Sequence, residues 1–406
     1  MGVECSISPV RSVCIRMAFV IGFMFNLFVV SFSAAETLAA GCVASRGAGI
    51  PLNKFSYTPM DTSFLETKPP LNESEKDNSA DKSEGNNSSD FQATVAYRSF
   101  RSDRHFVGEE EQKERQHEGS EVINNSRFID VSFDYSFDDV YNASLTIPFA
   151  YHDRSQVVRD SNRTILQRFH TQSAGFGDLQ VLGSKLLFDP KVARKGNTTI
   201  GLGVDIPTGQ DDIEDTFMVY DAASKKIVAE TRTVDQSIQL SDGGWGAILY
   251  VNTFYNFFPQ VTGFFDATYT ITPEEKNGVR TFRSNPFEAE MSIADNYLAR
   301  AGMSYVVLPK HNLTLSLSAR MEGVRVHDLV GGSDGFRRPG YDISIEPGIS
   351  MNIESWLFNL YVPISIERNR QRSVPDRQQS AATGRYSHGD AAFADYSVTF
   401  AVTKRY

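Results

Sequence analysis

Cysteine is nearly absent. Only Cys5, Cys14 and Cys42 occur in 406 residues. The first two lie in the leader described below, so a processed chain would keep Cys42 alone, which excludes an intramolecular disulfide framework. Positive charge is also short. Lys and Arg total 40 against 50 Asp and Glu, a formal net charge of −10. No basic stripe appears, so nucleic acid is excluded as a partner. The seven histidines and three cysteines show no zinc-ligand spacing, and no phosphate-binding loop is present. No cofactor or metal is implied. Apart from one run near the start, no apolar stretch is long enough to cross a membrane as a helix. The mean hydropathy of −0.30 still leaves room for strands that alternate, because their hydropathy averages out.

Arg11 and Arg16 precede "MAFVIGFMFNLFVVSF", a run of 16 residues, and Ser33 and Ala35 follow as small residues before a cleavage point. That order predicts a secretory signal over 1–35. The alternative is an uncleaved anchor, for which the run is somewhat short of the roughly 20 residues a span needs. Cys42 sits in "LAAGC", near a lipoprotein attachment box, but its leucine is one place too far upstream. A free cysteine is the plainer reading. Residues 36–90 are expected to form a disordered periplasmic stretch. "LNESEKDNSADKSEGNNSSD" has too little apolar surface to offset its ordering entropy.

From residue 91 the pattern changes to a period of two. Twelve strands are expected, near 91–100, 127–137, 140–152, 176–188, 197–207, 244–257, 260–272, 296–308, 311–326, 340–353, 355–367 and 394–406. In the second, Ile129, Val131, Phe133, Tyr135 and Phe137 alternate with Asp130, Ser132, Asp134 and Ser136. The fourth alternates poorly. Pro148, Pro207, Pro347 and Pro363 fall inside or at the ends of strands, where proline cannot donate to a ladder. Bulges or strand ends are expected there.

Connections alternate long and short without exception. Two or so residues join strands at 138–139, near 259, at 309–310 and at 354, with eight at 189–196. Long segments run over 101–126, 153–175, 208–243, 273–295, 327–339 and 368–393. A sandwich has no reason to keep this rhythm. An up-and-down outer-membrane β-barrel of about twelve strands does, spanning 91–406 with short periplasmic turns and long external loops. Such a barrel must pair its last strand with its first, since an open edge is untenable in lipid. That accounts for a chain ending on "FADYSVTFAVTKRY". The expected membrane-interface aromatics are Tyr135, Phe137, Trp356 and Tyr406 at one rim, and Trp245, Tyr297 and Tyr341 at the other. The partners implied are outer-membrane lipid, the barrel-assembly machinery that reads the terminal strand, and an unidentified small solute.

"GFGDLQV" (175–181), "GLGVDIPTG" (201–209) and "GGWGAI" (243–248) resemble a bacterial outer-membrane family of transporters, the meta-pathway phenol-degradation type. The resemblance covers about 91–406. It implies a monomeric barrel and uptake of small, in part aromatic, solutes by a passive route.

If the apolar faces meet lipid, the other faces line the interior. The expected lumen-lining acids are Asp130, Asp134, Asp205, Asp266, Glu322, Asp342, Glu346, Glu367 and Asp395, with Arg98, Arg300 and Arg320 as the cations. A lumen biased negative favours cationic solutes. The competing reading is a plugged barrel in which these charges pair with each other for structure. Twelve strands fall between filled eight-stranded barrels and open porins. The expected function is therefore a passive transporter or narrow channel, with a structural or adhesive barrel as the alternative. An outer-membrane hydrolase is the remaining one. "GGSDG" matches G-x-S-x-G at Ser333, and His152 is the best candidate base, but a Gly-rich turn is not the strand-to-helix elbow that motif requires. The acidic run "DDIED" (211–215) lacks the spacing of a calcium loop and reads as a solvated charge cluster. No catalytic residue is assigned.

Overall fold

The alternation of small polar and apolar residues sets which face of each strand turns inward. In the computed structural model, which describes residues 91–406, that alternation is realised as a closed antiparallel barrel. The signal expected over 1–35, the polar stretch over 36–90 and Cys42 lie outside the described residues.

The strands are, in chain order, Phe91–Ser102, Ile123–Ser136, Tyr141–Arg159, Ile165–Phe176 with Leu179–Leu186, Gly196–Ile206, Gly246–Phe258, Val261–Ile271, Asn296–Leu308, Leu313–Val324, Gly340–Ile353, Trp356–Tyr361 with Ile364–Arg370, and Ser397–Arg405. The fourth and eleventh are each interrupted once, so fourteen segments make twelve staves. Each pairs with its sequence neighbours, and the last pairs with the first from Gln92↔Arg405 to Phe100↔Ser397. No edge is left over, as lipid requires. The expected twelve-stranded barrel is borne out.

The prolines account for both interruptions. Pro148 of the third strand pairs with Asp130 on one side. On its other side the partner strand is broken, between Phe149↔Phe176 and Thr146↔Gln180. Pro347 of the tenth strand faces the break in the eleventh in the same way, between Gly348↔Tyr361 and Ile345↔Ile364. A proline cannot donate, so the ladder opens beside it. Its carbonyl is still used: Gly177 N donates to Pro148 O at 2.9 Å and Val362 N to Pro347 O at 3.1 Å.

One expectation about loops is corrected. Residues 153–175 are not a free loop. The third and fourth strands run on as a hairpin, paired from Asp153↔Gln172 to Arg159↔Ile165. Neither face of this extension is as apolar as the faces nearer the barrel's middle, so alternation does not mark it. The other long loops carry structure too. They hold a hairpin (Glu214–Asp221 with Lys226–Thr233), two 3₁₀ turns, and a helix at Val374–Thr383 capped by Ser373 and Asp376.

The outer face is apolar and exposed. Leu202, Leu317 and Ile366 are each more than half exposed, whereas the inward Asp134, Asn252, Glu346 and Thr403 are at most 2% exposed. A continuous apolar exterior of this kind is a lipid-facing surface. Tyr135, Phe137, Tyr255, Trp356 and Tyr406 are exposed at the end where the short turns lie. Trp245 is exposed and Tyr297 and Tyr341 half-buried at the long-loop end.

Candidate functional site: a chamber beneath a loop plug

The long loops fold back over the barrel mouth. Segment 234–241 of the third long loop is a buried part of this plug. Val234 and Ile238 are fully buried. Between them Asp235 caps the 3₁₀ turn Gln236–Ile238, its Oδ1 accepting from Ser237 N at 3.0 Å. The same carboxylate accepts both Nη1 and Nη2 of Arg338, each at 2.7 Å, from the fifth long loop. Arg154 of the third strand lies at 3.3 Å and Arg283 of the fourth long loop at 4.0 Å. Burial alone would raise the Asp235 carboxyl, but Arg154 and Arg338 outweigh it and hold the group well below the usual carboxylate range.

Arg337 makes a second tie. It donates to Asp328 Oδ2 at 2.6 Å, to Ser292 Oγ at 2.6 Å and to Ile293 O at 2.9 Å. Gln236 Nε2 donates to Ser292 O at 2.7 Å. Third, fourth and fifth loops are thus joined by charged and amide side chains as well as by the buried Val234, Ile238, Met291, Ile293 and Phe336.

Below the plug is a cavity of about 100 Å³, room for about three waters or one small solute. Gln236, Ser237, Arg337 and Arg338 lie on its loop side. Phe100, Phe128 and His152 line it from the first three strands, and Asp178, Asp205 and Asp242 from the region where the fourth, fifth and sixth strands meet. Asp178 and Asp205 belong to the first two glycine-rich motifs and Asp242 immediately precedes the third, so the three motifs converge here. Asp178 accepts from Gly209 N at 3.0 Å and from Ser241 Oγ at 2.9 Å. Thr208 Oγ1 donates to Gly177 O at 3.1 Å. A Cβ on Gly209 would stand 3.0 Å from the Gly177 Cα, so the close crossing of the two chains needs glycine there.

Beneath the chamber the charges form a belt. Arg300 Nε donates to Asp266 Oδ2 at 2.8 Å and its Nη1 to Glu346 Oε1 at 3.2 Å. Arg320 Nη1 donates to Glu346 Oε2 and Nη2 to Glu322 Oε2, both at 3.0 Å. This five-membered chain crosses the seventh to tenth strands, and all its members are at least nine-tenths buried. On the opposite wall Arg98 stacks over Phe128, 4.4 Å from the ring centre. Asp134 accepts from Ser144 Oγ at 2.5 Å. One oxygen each of Asp130, Asp134 and Asp205 has no hydrogen-bond partner. Asp342 accepts from Ser365 Oγ. Asp395 lies higher, at the long-loop end, accepting from Arg104 at 2.5 Å and Arg368 at 2.7 Å.

Glu367 is a correction. It lies on the outer face, accepting from Tyr341 OH at 2.8 Å. Pairing on the tenth strand shifts between Ser344↔Ser365 and Ile343↔Glu367. The extra residue, Ile366, turns Glu367 out and brings Arg368 in. Simple alternation also missed Arg154, which lies in the hairpin extension and is buried. The interior is therefore richer in guanidinium than the sequence suggested. The plug residues Asp235, Arg337 and Arg338 carried no period at all; the adjacent pair "RR" in a glycine-rich turn was the only signal.

Ser333 and His152 bond to different partners. Ser333 Oγ accepts from Asp328 N at 3.0 Å and is 3.3 Å from Asp328 Oδ2, while His152 Nδ1 is 2.9 Å from Ser126 Oγ. Among the described residues no group of three His, Cys, Asp or Glu is placed to hold a metal ion.

No protein-family model matches the sequence, and no curated protein matches it. Solved structures do resemble it in shape. An outer membrane channel from Pseudomonas putida F1 aligns over 79% of this chain and 96% of its own, at 9% identity and a TM-score of 0.48. The P. putida toluene transporter TodX aligns over 78% of this chain and 90% of its own, at 8% identity and 0.40. The translocator domain of the autotransporter NalP from Neisseria meningitidis aligns over 79% and 90%, at 11% identity and 0.36. At these values the likeness is one of general architecture. The pairing and the lipid-facing exterior described above are those of an outer-membrane β-barrel.

Proposed function

We propose that the protein is a passive transporter for small solutes in a bacterial outer membrane. The observation that carries this reading is the cavity lined by loop residues Gln236, Ser237, Arg337 and Arg338 and by the barrel wall, with the charged belt below it. A barrel kept only for structure has no need of a solvent-sized space lined by both aromatic rings and carboxylates. The route we infer runs from the long-loop end, through the chamber, past Arg98, Asp130 and Asp134, to the short-turn end. Carboxylates without a full set of partners along this wall favour cationic or polar solutes. Phe100 and Phe128, with ring centres 5.5 Å apart, give the chamber a surface for a small ring. That suits the aromatic solutes implied by the glycine motifs' resemblance to the meta-pathway family. Lipid and, through the last strand, the barrel-assembly machinery are the partners this reading requires.

A second reading has support in the same geometry. The plug and the belt are both buried and internally bonded, as in a closed barrel that displays its loops to partners. Planar-bilayer recording under a salt gradient separates the two. Discrete current steps with a cation-selective reversal potential support transport. Silence both from this barrel and from one with residues 210–242 replaced by a short turn, each with folding verified by heat-modifiable gel mobility, supports the display reading and removes the first.

A further inference from the structure

We propose that Asp235 is the pin that holds the transport route shut, and that segment 234–241 is the gate it pins. The inference rests on the transport reading and names the regulation of that same route.

Three observations converge on Asp235. First, one carboxylate gathers cations from three separate elements: Arg338 from the fifth loop, Arg154 from the barrel wall and Arg283 from the fourth loop. Second, the segment it belongs to forms part of the chamber lining. Gln236 and Ser237 face the cavity, and Ser237 Oγ accepts from Arg154 Nη1 at 3.3 Å. Third, polar bonds hold this segment alongside its buried apolar side chains Val234, Ile238 and Leu240. Ser173 Oγ donates to Ile238 O, and Gln239 bonds Ile213 and Val234. The ion pairs are directional and meet at one carboxylate, so loss of that charge unbalances all of them at once.

The arrangement is lopsided in a way that makes one residue decisive. Arg283 and Arg338 both stack on the Phe336 ring, at 3.9 and 4.7 Å from its centre. Their charges are therefore held close together, and Arg154 approaches from below. Asp235 is the anion common to all three. Replacing it with a neutral amide leaves the buried Arg154 and Arg338 without their shared anion, facing an Arg283 that keeps only Glu288 at 3.4 Å, so the three guanidiniums repel. Movement of 234–241 toward solvent relieves that repulsion and opens the chamber roof.

The test uses the full chain in planar bilayers with the Asp235→Asn variant. The mean current is expected to rise roughly tenfold over the unaltered protein, as a bistable element shifts its population. Arg338→Gln, which keeps Asp235 with Arg154 and Arg283, should raise it less. The double variant Asp235→Asn with Arg338→Gln removes one cation along with the anion and should fall back below Asp235→Asn alone, a coupling that general misfolding would not give. Folding of each is checked by heat-modifiable mobility. A barrel with residues 210–242 replaced by a short turn provides the control for the route. If that barrel conducts while Asp235→Asn matches the unaltered protein, the pin is wrong and the transport reading stands. If neither conducts, both fall.

Discussion

The hydroxyls of Thr94 and Thr403 lie 2.9 Å apart inside the barrel, across the seam where the first strand meets the last. Both side chains are buried, and 309 residues separate them. Closure thus seals a polar pair as well as a backbone ladder. Thr403→Val should destabilise the barrel by roughly 1–3 kcal/mol, because it strands the Thr94 hydroxyl without its partner, while the double variant Thr94→Val with Thr403→Val should be close to neutral. Urea unfolding in lipid vesicles checks both. Equal losses in the single and double variants would show that the bond is not what stabilises the seam.

Glu346 is the centre of the belt, 1% exposed and accepting from Arg300, Arg320 and the Ser318 hydroxyl. Glu346→Ala leaves two guanidiniums buried and short of counter-charge, which costs about 3–5 kcal/mol where such pairs have been broken. The same vesicle unfolding measures it. A loss below about 1 kcal/mol, the usual worth of an exposed pair, would mean that water reaches the belt and that the lumen is open there.

Both of these sites were legible in the sequence. Thr94, Thr403 and Glu346 sit on strands whose partners face lipid, so a period of two marks them inward. The same rule gave the strand count and the closure. It failed wherever a face stopped meeting lipid or a ladder slipped. Arg154 sits beyond the apolar band, where alternation carries no information. Glu367 follows a bulge, and one extra residue reverses every face after it. Asp235 lies in a loop whose position is fixed by long-range ion pairs, with partners at positions 154, 283 and 338. No local pattern encodes such a contact. The prolines are an intermediate case: the break beside Pro148 appears on the neighbouring strand, because the missing donor belongs to a pair, whereas the break opposite Pro347 contains Pro363, where a strand end is expected.

The loop cap should resist acid. For Asp376, burial raises the carboxyl, but Arg370 and the bonds from Ser373 outweigh it, so its pKa lies below the ordinary value. Asp235 is depressed in the same sense. The sign follows from linkage. A depressed carboxylate contributes stability that is fully present above its unfolded pKa, about 3.9, and is lost as pH falls through the lower folded value. Limited proteolysis should therefore leave the helix Val374–Thr383 and segment 234–241 intact from pH 7 down to about 4.5, and Asp376→Asn should expose the helix at neutral pH. Cleavage of the unaltered loops near pH 6 would contradict this.

Ion selectivity gives a direct test of which carboxylates face the route. Asp342 and Glu367 lie on adjacent strands and are both acidic, yet they stand on opposite sides of the wall. Asp342 is buried, accepts from Ser365 and lies inside. Glu367 is exposed beside the Tyr341 hydroxyl. A fixed charge influences permeant ions strongly within about 8–10 Å and weakly beyond that in salt. Through a wall of low dielectric with lipid behind it, an outer-face charge is also partly neutralised by its own counter-ions. Asp342→Asn should therefore lower the cation-to-anion permeability ratio by roughly twofold or more, and Glu367→Gln should leave the reversal potential unchanged. The comparison holds composition constant, since each variant replaces one carboxyl by its amide. If Glu367→Gln shifts the potential as much as Asp342→Asn does, the bulge at Ile366 does not reverse the face, and the eleventh strand keeps its simple alternation to the rim.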